Sequence, residues 1–164
     1  MKPVKLKWTI KGKFEVVYTG TLKAMQRYSG AAKLYHRDSL YAQGECDNGL
    51  KVGFWQHYHG NGQVMLEGSY DAQGLEHGCW QLFYDDGQLN EIDYFDHGRR
   101  VGESQSFYQS GELRHHYWYD DQGRTALAKS YYRSGQLRHL QEMQKGRLVN
   151  ETYFKADGSV WTAI

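Results

Sequence analysis

The sequence is short of the features that mark several protein classes. It contains one proline and two cysteines in 164 residues. So little proline excludes a proline-rich linker, and two thiols, Cys46 and Cys79, are too few for a disulfide scaffold. Both are expected free, in a reducing cytoplasm. No apolar run approaches the roughly 20 residues that span a bilayer. Met1 to Ile10 carries charges but no long apolar core, so no secretory signal is expected. A helical period is missing at any length. So are CxxC and HExxH metal patterns, a Gly-x-Ser-x-Gly elbow and a phosphate-binding loop.

What the chain does have is glycine and aromatic residues, 19 glycines and 15% Phe, Trp and Tyr. The aromatic content excludes a disordered tail, and the length suits one domain with a sizeable core. The glycines are spaced. A Gly-x-aliphatic triplet occurs at Gly20-Thr21-Leu22, Gly62-Gln63-Val64, Gly87-Gln88-Leu89, Gly111-Glu112-Leu113, Gly135-Gln136-Leu137 and Gly158-Ser159-Val160. Asp38-Ser39-Leu40 fits the series with Asp in place of Gly. Successive anchors lie 18, 24, 25, 24, 24 and 23 residues apart, a period of about 24 with a shortened first unit.

Flanking columns support the alignment. Four residues before the anchor stand Val16, Leu34, Tyr58, Phe83, Phe107, Tyr131 and Phe154; eight after it stand Tyr28, Cys46, Tyr70, Phe95, Tyr119 and Met143. A second glycine follows at Gly49, Gly74, Gly98, Gly123 and Gly146. Four residues later the next unit opens on Gly53, Gly78 or Gly102, and in the last two cases on Leu127 and Asn150.

Each unit reads as a β-hairpin. Cys79–Tyr84 and Leu89–Phe95 have strand length and strand-favouring aromatics, and Asp85-Asp86-Gly87 between them fits a three-residue loop, a type I turn closed by a left-handed residue. Glycine adopts positive φ without steric cost and Asp does so at a modest one, which accommodates Asp38. This loop makes the positions four before and two after the glycine face each other. Alternation then places the positions two and eight after it on one side of the sheet. The expected fold is all-β, a single-domain array of six to seven antiparallel hairpins forming an extended twisted meander. Residues 1–13 would be an N-terminal capping strand (Val4, Leu6, Trp8 and Ile10 alternating with lysines), 14–160 the repeats and 161–164 the terminal strand end.

The unit Gly78-Cys-Trp-Gln-Leu-Phe-Tyr-Asp-Asp-Gly87-Gln-Leu, continuing through Tyr94-Phe-Asp-His-Gly98-Arg-Arg-Val-Gly102, resembles the MORN repeat variant. It is most similar to bacterial antitoxin and immunity proteins built from such units. The resemblance implies a binding protein that neutralises a toxin; the missing motifs separately lead to the expectation of no catalysis, metal or cofactor.

Charge is segregated although the net charge is +1. Residues 1–37 carry nine Lys/Arg and one acid, residues 38–98 one Lys and eleven acids, and residues 99–164 ten basic and seven acidic groups. Fields of this kind steer charged partners. The acidic middle, with nearby aromatics, is the expected partner surface: Asp85, Asp86, Glu91, Asp93, Asp96, Tyr94 and Trp118. Tyr84, Tyr108 and Tyr132 either add anchors to it or pack one unit on the next. Glu91 and Asp93 have the strand parity of Leu89 and Phe95, so that face should be wet or covered by the partner. The partner so implied is a protein toxin domain with a basic active-site cleft. The alternative is a MORN-type scaffold contacting anionic membrane or a partner protein through the basic N-terminal segment. Nucleic acid binding is not expected.

Histidines and cysteines raise other chemistry only weakly. His57 and His59 share strand parity, His115 and His116 do not, and His77 and His97 recur in the inter-unit turns as repeat inheritance. Cys46 lies between Glu45 and Asp47, the wrong field for a thiolate. Asp85-Asp86 and Asp120-Asp121 fall in turns, where Asp is ordinary.

Overall fold

The computed structural model describes residues 5–6, 15–18, 29–36 and 39–161, with side chains for 29–34 and 39–161. The described residues form thirteen strands and no helix: β1 (Lys5–Leu6), β2 (Glu15–Tyr18), β3 (Gly30–His36), β4 (Ser39–Asp47), β5 (Leu50–Tyr58), β6 (Val64–Tyr70), β7 (Glu76–Phe83), β8 (Leu89–Asp96), β9 (Arg99–Phe107), β10 (Leu113–Tyr119), β11 (Thr125–Tyr131), β12 (Leu137–Gln144) and β13 (Arg147–Tyr153). They pair antiparallel in strict chain order as one open meander sheet. Of the expected capping strand only Lys5 and Leu6 are described; Val4, Trp8 and Ile10 lie outside the described residues, as do 162–164.

The hairpin turns have the expected form. Tyr84 N–H donates to the Gln88 carbonyl at 2.8 Å and Gly87 N–H to the Tyr84 carbonyl at 3.0 Å, with Gly87 at φ +87. The turns closed by Gly62, Gly111, Gly135 and Gly158 repeat this pair of bonds. Tyr58 faces Val64, Phe83 faces Leu89, Phe107 faces Leu113, Tyr131 faces Leu137 and Phe154 faces Val160, as the loop length requires. Two early units depart. His36 pairs with Ser39 and Tyr35 with Leu40, so Leu34 faces Ala42 instead of Leu40. Val16 is paired on both sides, to Leu6 and Leu34; its expected partner Leu22, with Gly20 and Thr21, lies outside the described residues.

A recurrent bulge changes which residues share a face. Three positions after each hairpin anchor one residue is left out of the ladder: Tyr41, Met65, Asn90, Arg114 and Arg138. An extra residue inverts the alternation beyond it. Leu89 therefore lies with Phe83 on one face, while Phe95 lies opposite Gly78 on the other. The expectation that positions two and eight after the anchor share a face is corrected accordingly. Glu91 and Asp93 keep company with Phe95 and not with Leu89.

The opening glycines acquire a reason. Gly53, Gly78 and Gly102 have φ of +63, +78 and +67 inside strands. At each, one residue of the preceding strand spans three of its partner: Gly68, for example, lies against 78–80 between the pairs Glu67–Gln81 and Ser69–His77. In the last two units, where Leu127 and Asn150 open, only Ala126 and Val149 are skipped. Without glycine the larger slip would strain the backbone.

The core follows one row across the strands: Ala32, Gly44, Trp55, Gly68, Trp80, Asp93, Ser104, Tyr117, Ala128, Gln141 and Glu151. Trp55 lies over Gly44 and Trp80 over Gly68 so closely that a Cβ at either glycine would enter the indole. Each indole N–H is satisfied, Trp55 by the Glu45 carbonyl at 2.8 Å and Trp80 by the Ser69 carbonyl at 3.2 Å. We call this side of the sheet the tryptophan face. Adjacent units are also tied near their hairpin turns. His59 Nε2–H donates to the Phe83 carbonyl, Tyr84 Oη–H to Phe107, Tyr108 Oη–H to Tyr131 and Tyr132 Oη–H to Phe154, all at 2.7–2.9 Å. Tyr84, Tyr108 and Tyr132 thus join units together.

Candidate protein-binding groove

On the strand after the second tryptophan, the core row changes character. Asp93 of β8 takes the place that Gly44 and Gly68 hold earlier, and Ser104 of β9 takes the place of the tryptophan. The small serine leaves room for the carboxylate. Asp93 is nevertheless only 7% exposed, and Ser104 4%. Burying a carboxylate is costly unless it is paired, and Arg100 supplies the charge: its Nη2 lies 2.8 Å from Asp93 Oδ2 and 3.3 Å from Glu91 Oε1. The guanidinium also lies 5.8 Å from the Phe95 ring centre. Asp93 Oδ1 is buried and has no hydrogen-bond partner. Burial, then the neighbouring Asp93, pushes the Glu91 carboxyl up to about 7, with Arg100 pulling the other way. A proton on Glu91 is the internal donor that can relieve the Asp93 carboxylate.

Two cavities on the tryptophan face meet at this pair. One, of about 380 Å³, is mainly apolar, with Leu66, Tyr70, Trp80, Leu82 and Phe95 in its wall. The other, of about 260 Å³, is polar and lined by Ser104, Ser106, Arg114, His115 and Tyr117. Glu91 and Arg100 line both. His115 is held below its ordinary range by burial and then by Arg114 and Arg138, while burial raises the Tyr117 hydroxyl. The arrangement is an apolar chamber beside a polar one, divided by a carboxylate pair that a single arginine bridges.

The expected site residues do not form one surface. Glu91 and Asp93 come together in the groove. Asp85 and Asp86 sit exposed in a hairpin turn, where Asp86 accepts the Gln88 N–H at 3.0 Å and the Gln109 amide at 2.8 Å. Tyr94, 46% exposed, points from the opposite face. Trp118 is on that face too, its ring 3.5 Å from His116 and 5.2 Å from Lys129 Nζ. Asp96 lies at the far rim with His77 and His97. Asp93 itself is buried, not wet. Arg100, Ser104, His115 and Tyr117 escaped the sequence reading. Aligning Asp93 with Gly44 and Gly68, and Ser104 with the tryptophans, carries the signal that the row changes there.

The histidine pairs sort as follows. His115 and His116 lie on opposite faces, as alternation requires. His57 and His59 do not cooperate: His57 is buried against Tyr41 and Trp55, its pKa lowered to about 4 by burial and then by Lys51, and His59 is spent on the Phe83 carbonyl. His77 and His97 do meet, together with Asp96. Burial pushes the Cys46 thiol up, with Lys51 opposing, and Cys79 is exposed.

The MORN repeat variant matches residues 51–72 and 76–97, the span from β5 through β8 that contains Trp55, Trp80, Glu91 and Asp93. No curated protein matches the sequence. Among solved structures, a crystal structure of accessory secretory protein 1, 2 and 3 in Streptococcus pneumoniae is similar over 77% of this chain and 21% of that one, at 13% identity and a TM-score of 0.29. The chain thus spans about a fifth of that relative's length. The all-β hairpin array is similar to the MORN repeat variant over residues 51–72 and 76–97, and its aromatic and ion-paired surface features are consistent with a protein partner.

Proposed function

We propose that this protein works without catalysis, by binding another protein in the groove around Glu91, Asp93 and Arg100. In the finer reading it is an immunity protein that occludes a toxin. The observation that carries the binding reading is the ion pair of Glu91 and Arg100, which lines both an apolar and a polar cavity beside the buried Asp93. Glu91 and Arg100 are both partly exposed and offer an acid and a base to a side chain entering from a partner. Trp80 and Phe95 on one side and Tyr117 on the other supply the rigid aromatic walls typical of interface centres. The acidic stretch 38–98, which forms the apolar side of the groove, favours encounter with a basic cleft of the kind found on toxins that act on nucleic acids.

The test begins with affinity capture of the tagged protein from its own cells. The captured partner is then assayed for toxicity with and without this chain. Protection by the wild type, lost in Asp93→Lys with strand content preserved, is the expected result. Protection that survives Asp93→Lys and Glu91→Lys overturns the groove. A captured partner whose activity the chain leaves untouched overturns the immunity reading while leaving the groove in place. The scaffold alternative rests on the basic first 37 residues and is read by sedimentation with anionic liposomes, where absence of salt-sensitive binding removes it.

A further inference from the structure

On the face opposite the groove, at the rim formed by the inter-unit turns, three donor side chains converge. His77 Nδ1 lies 3.5 Å from Asp96 Oδ1, and His97 Nε2 lies 3.7 Å from the same oxygen. The three ligand atoms all fall within 4.8 Å of one another. Bonds of about 2.0–2.1 Å in a tetrahedral zinc site put ligand atoms about 3.3 Å apart. Closing these separations of 3.5, 3.7 and at most 4.8 Å brings the cluster to that geometry. All three side chains are more than half exposed, so an ion can enter and the fourth position stays open.

The backbone brings these residues together by means unrelated to their charge. Asp96 ends β8, and His97-Gly98 form the two-residue turn to β9, with φ of +47 and +77. Gly98 N–H donates to the Glu76 carbonyl at 2.8 Å, which fastens the turn beside His77 on β7. A fourth residue orients the set. Asp71 Oδ2 lies 2.6 Å from His97 Nδ1, so Nδ1 carries the hydrogen and Nε2 is left to coordinate. Asp71 is itself fixed, its Oδ1 accepting the N–H of Gln73 at 2.8 Å and of Leu75 at 2.9 Å. A carboxylate behind a ligating histidine is the usual outer support of a zinc site, setting tautomer and ring direction.

We propose that His77, Asp96 and His97 form a binding site for a divalent transition metal, Zn²⁺ by its nitrogen and oxygen donor set, with Asp71 as the positioning residue. The site is independent of the groove and of any partner bound there. Calorimetric titration of the untagged, chelator-treated full chain with zinc chloride tests it. One ion per chain is expected, with affinity reduced at least about tenfold in His77→Ala and in Asp96→Asn, and about 10–100-fold in Asp71→Asn at unchanged stoichiometry. Cobalt(II) bound by the wild type should show the intense visible absorption of a tetrahedral centre. The exposed thiol of Cys79 lies two residues from His77, so Cys79→Ser should bind zinc like the wild type. Failure to bind, undiminished binding in His77→Ala, or loss of binding in Cys79→Ser each overturns the assignment.

Discussion

The strands from β4 to β7 and those from β8 to β11 share one sheet and one set of turns, yet their interiors are built differently. In the first region the core row alternates glycine with tryptophan, and the indoles of Trp55 and Trp80 are among the best-buried side chains described. In the second the same positions hold Asp93, Ser104, Tyr117 and Ala128, and both the polar cavity and a smaller one beside His115 and Tyr117 open there. A repeat fold on a single sheet has no opposing layer to fill its core, so each unit must cover its neighbour with its own side chains. Where tryptophan does this the row itself is filled, and the cavity beside it is apolar. Where serine and aspartate stand, the backbone is unchanged and a groove results.

The largest predicted contrast tests this division directly. Trp55→Ala, at a residue 1% exposed, should cost about 3–5 kcal/mol in urea unfolding, whereas Ser104→Ala in the corresponding column should cost no more than about 1.5 kcal/mol. Equal losses would mean that the two regions are supported alike. A step smaller, Gly68→Ala drives a Cβ into the Trp80 indole and should lower stability by about 1–3 kcal/mol, as overpacking does. The check is a matched thermal melt, and an unchanged midpoint would show that the indole is free to move.

The regions should also answer pH in opposite senses. Glu91 has its carboxyl raised from 4.5 to about 7, so its stabilisation is complete below pH 4.5 and is lost as pH rises through about 7. His57 is depressed from 6.5 to about 4, so its contribution is present above pH 6.5 and is lost as pH falls through about 4. The two partly cancel between pH 4.5 and 6.5. Glu91→Gln should unmask a stability that rises with pH across that window, and His57→Phe one that falls. Unfolding midpoints at half-unit pH intervals distinguish them. Identical profiles for both variants would mean that other groups control the response.

Much of this architecture was legible in the residues. Gly87 marks a left-handed turn position wherever the chain goes, and the apolar pair Phe83 and Leu89 then follows from loop length alone. The facing of Glu91 was not legible, because the extra residue Asn90 is invisible to an alternation count. Gly44 and Gly68 carry no turn, and only the indoles above them explain their lack of a side chain. Arg100 reaches Asp93 and Glu91 from the next strand, and His77 reaches Asp96 and His97 across another. Neither meeting has a fixed spacing to search for.

By itself, the sequence determined the all-β meander, its period and its three-residue hairpin turns. Those depend on the φ preferences of single residues and on the character of adjacent strands. Tertiary structure alone decided which side chains share a face and which carboxylates are buried. These depend on register. Register is the difference between residue counts on two paired strands, and a bulge on either one changes it without leaving a mark in the local pattern.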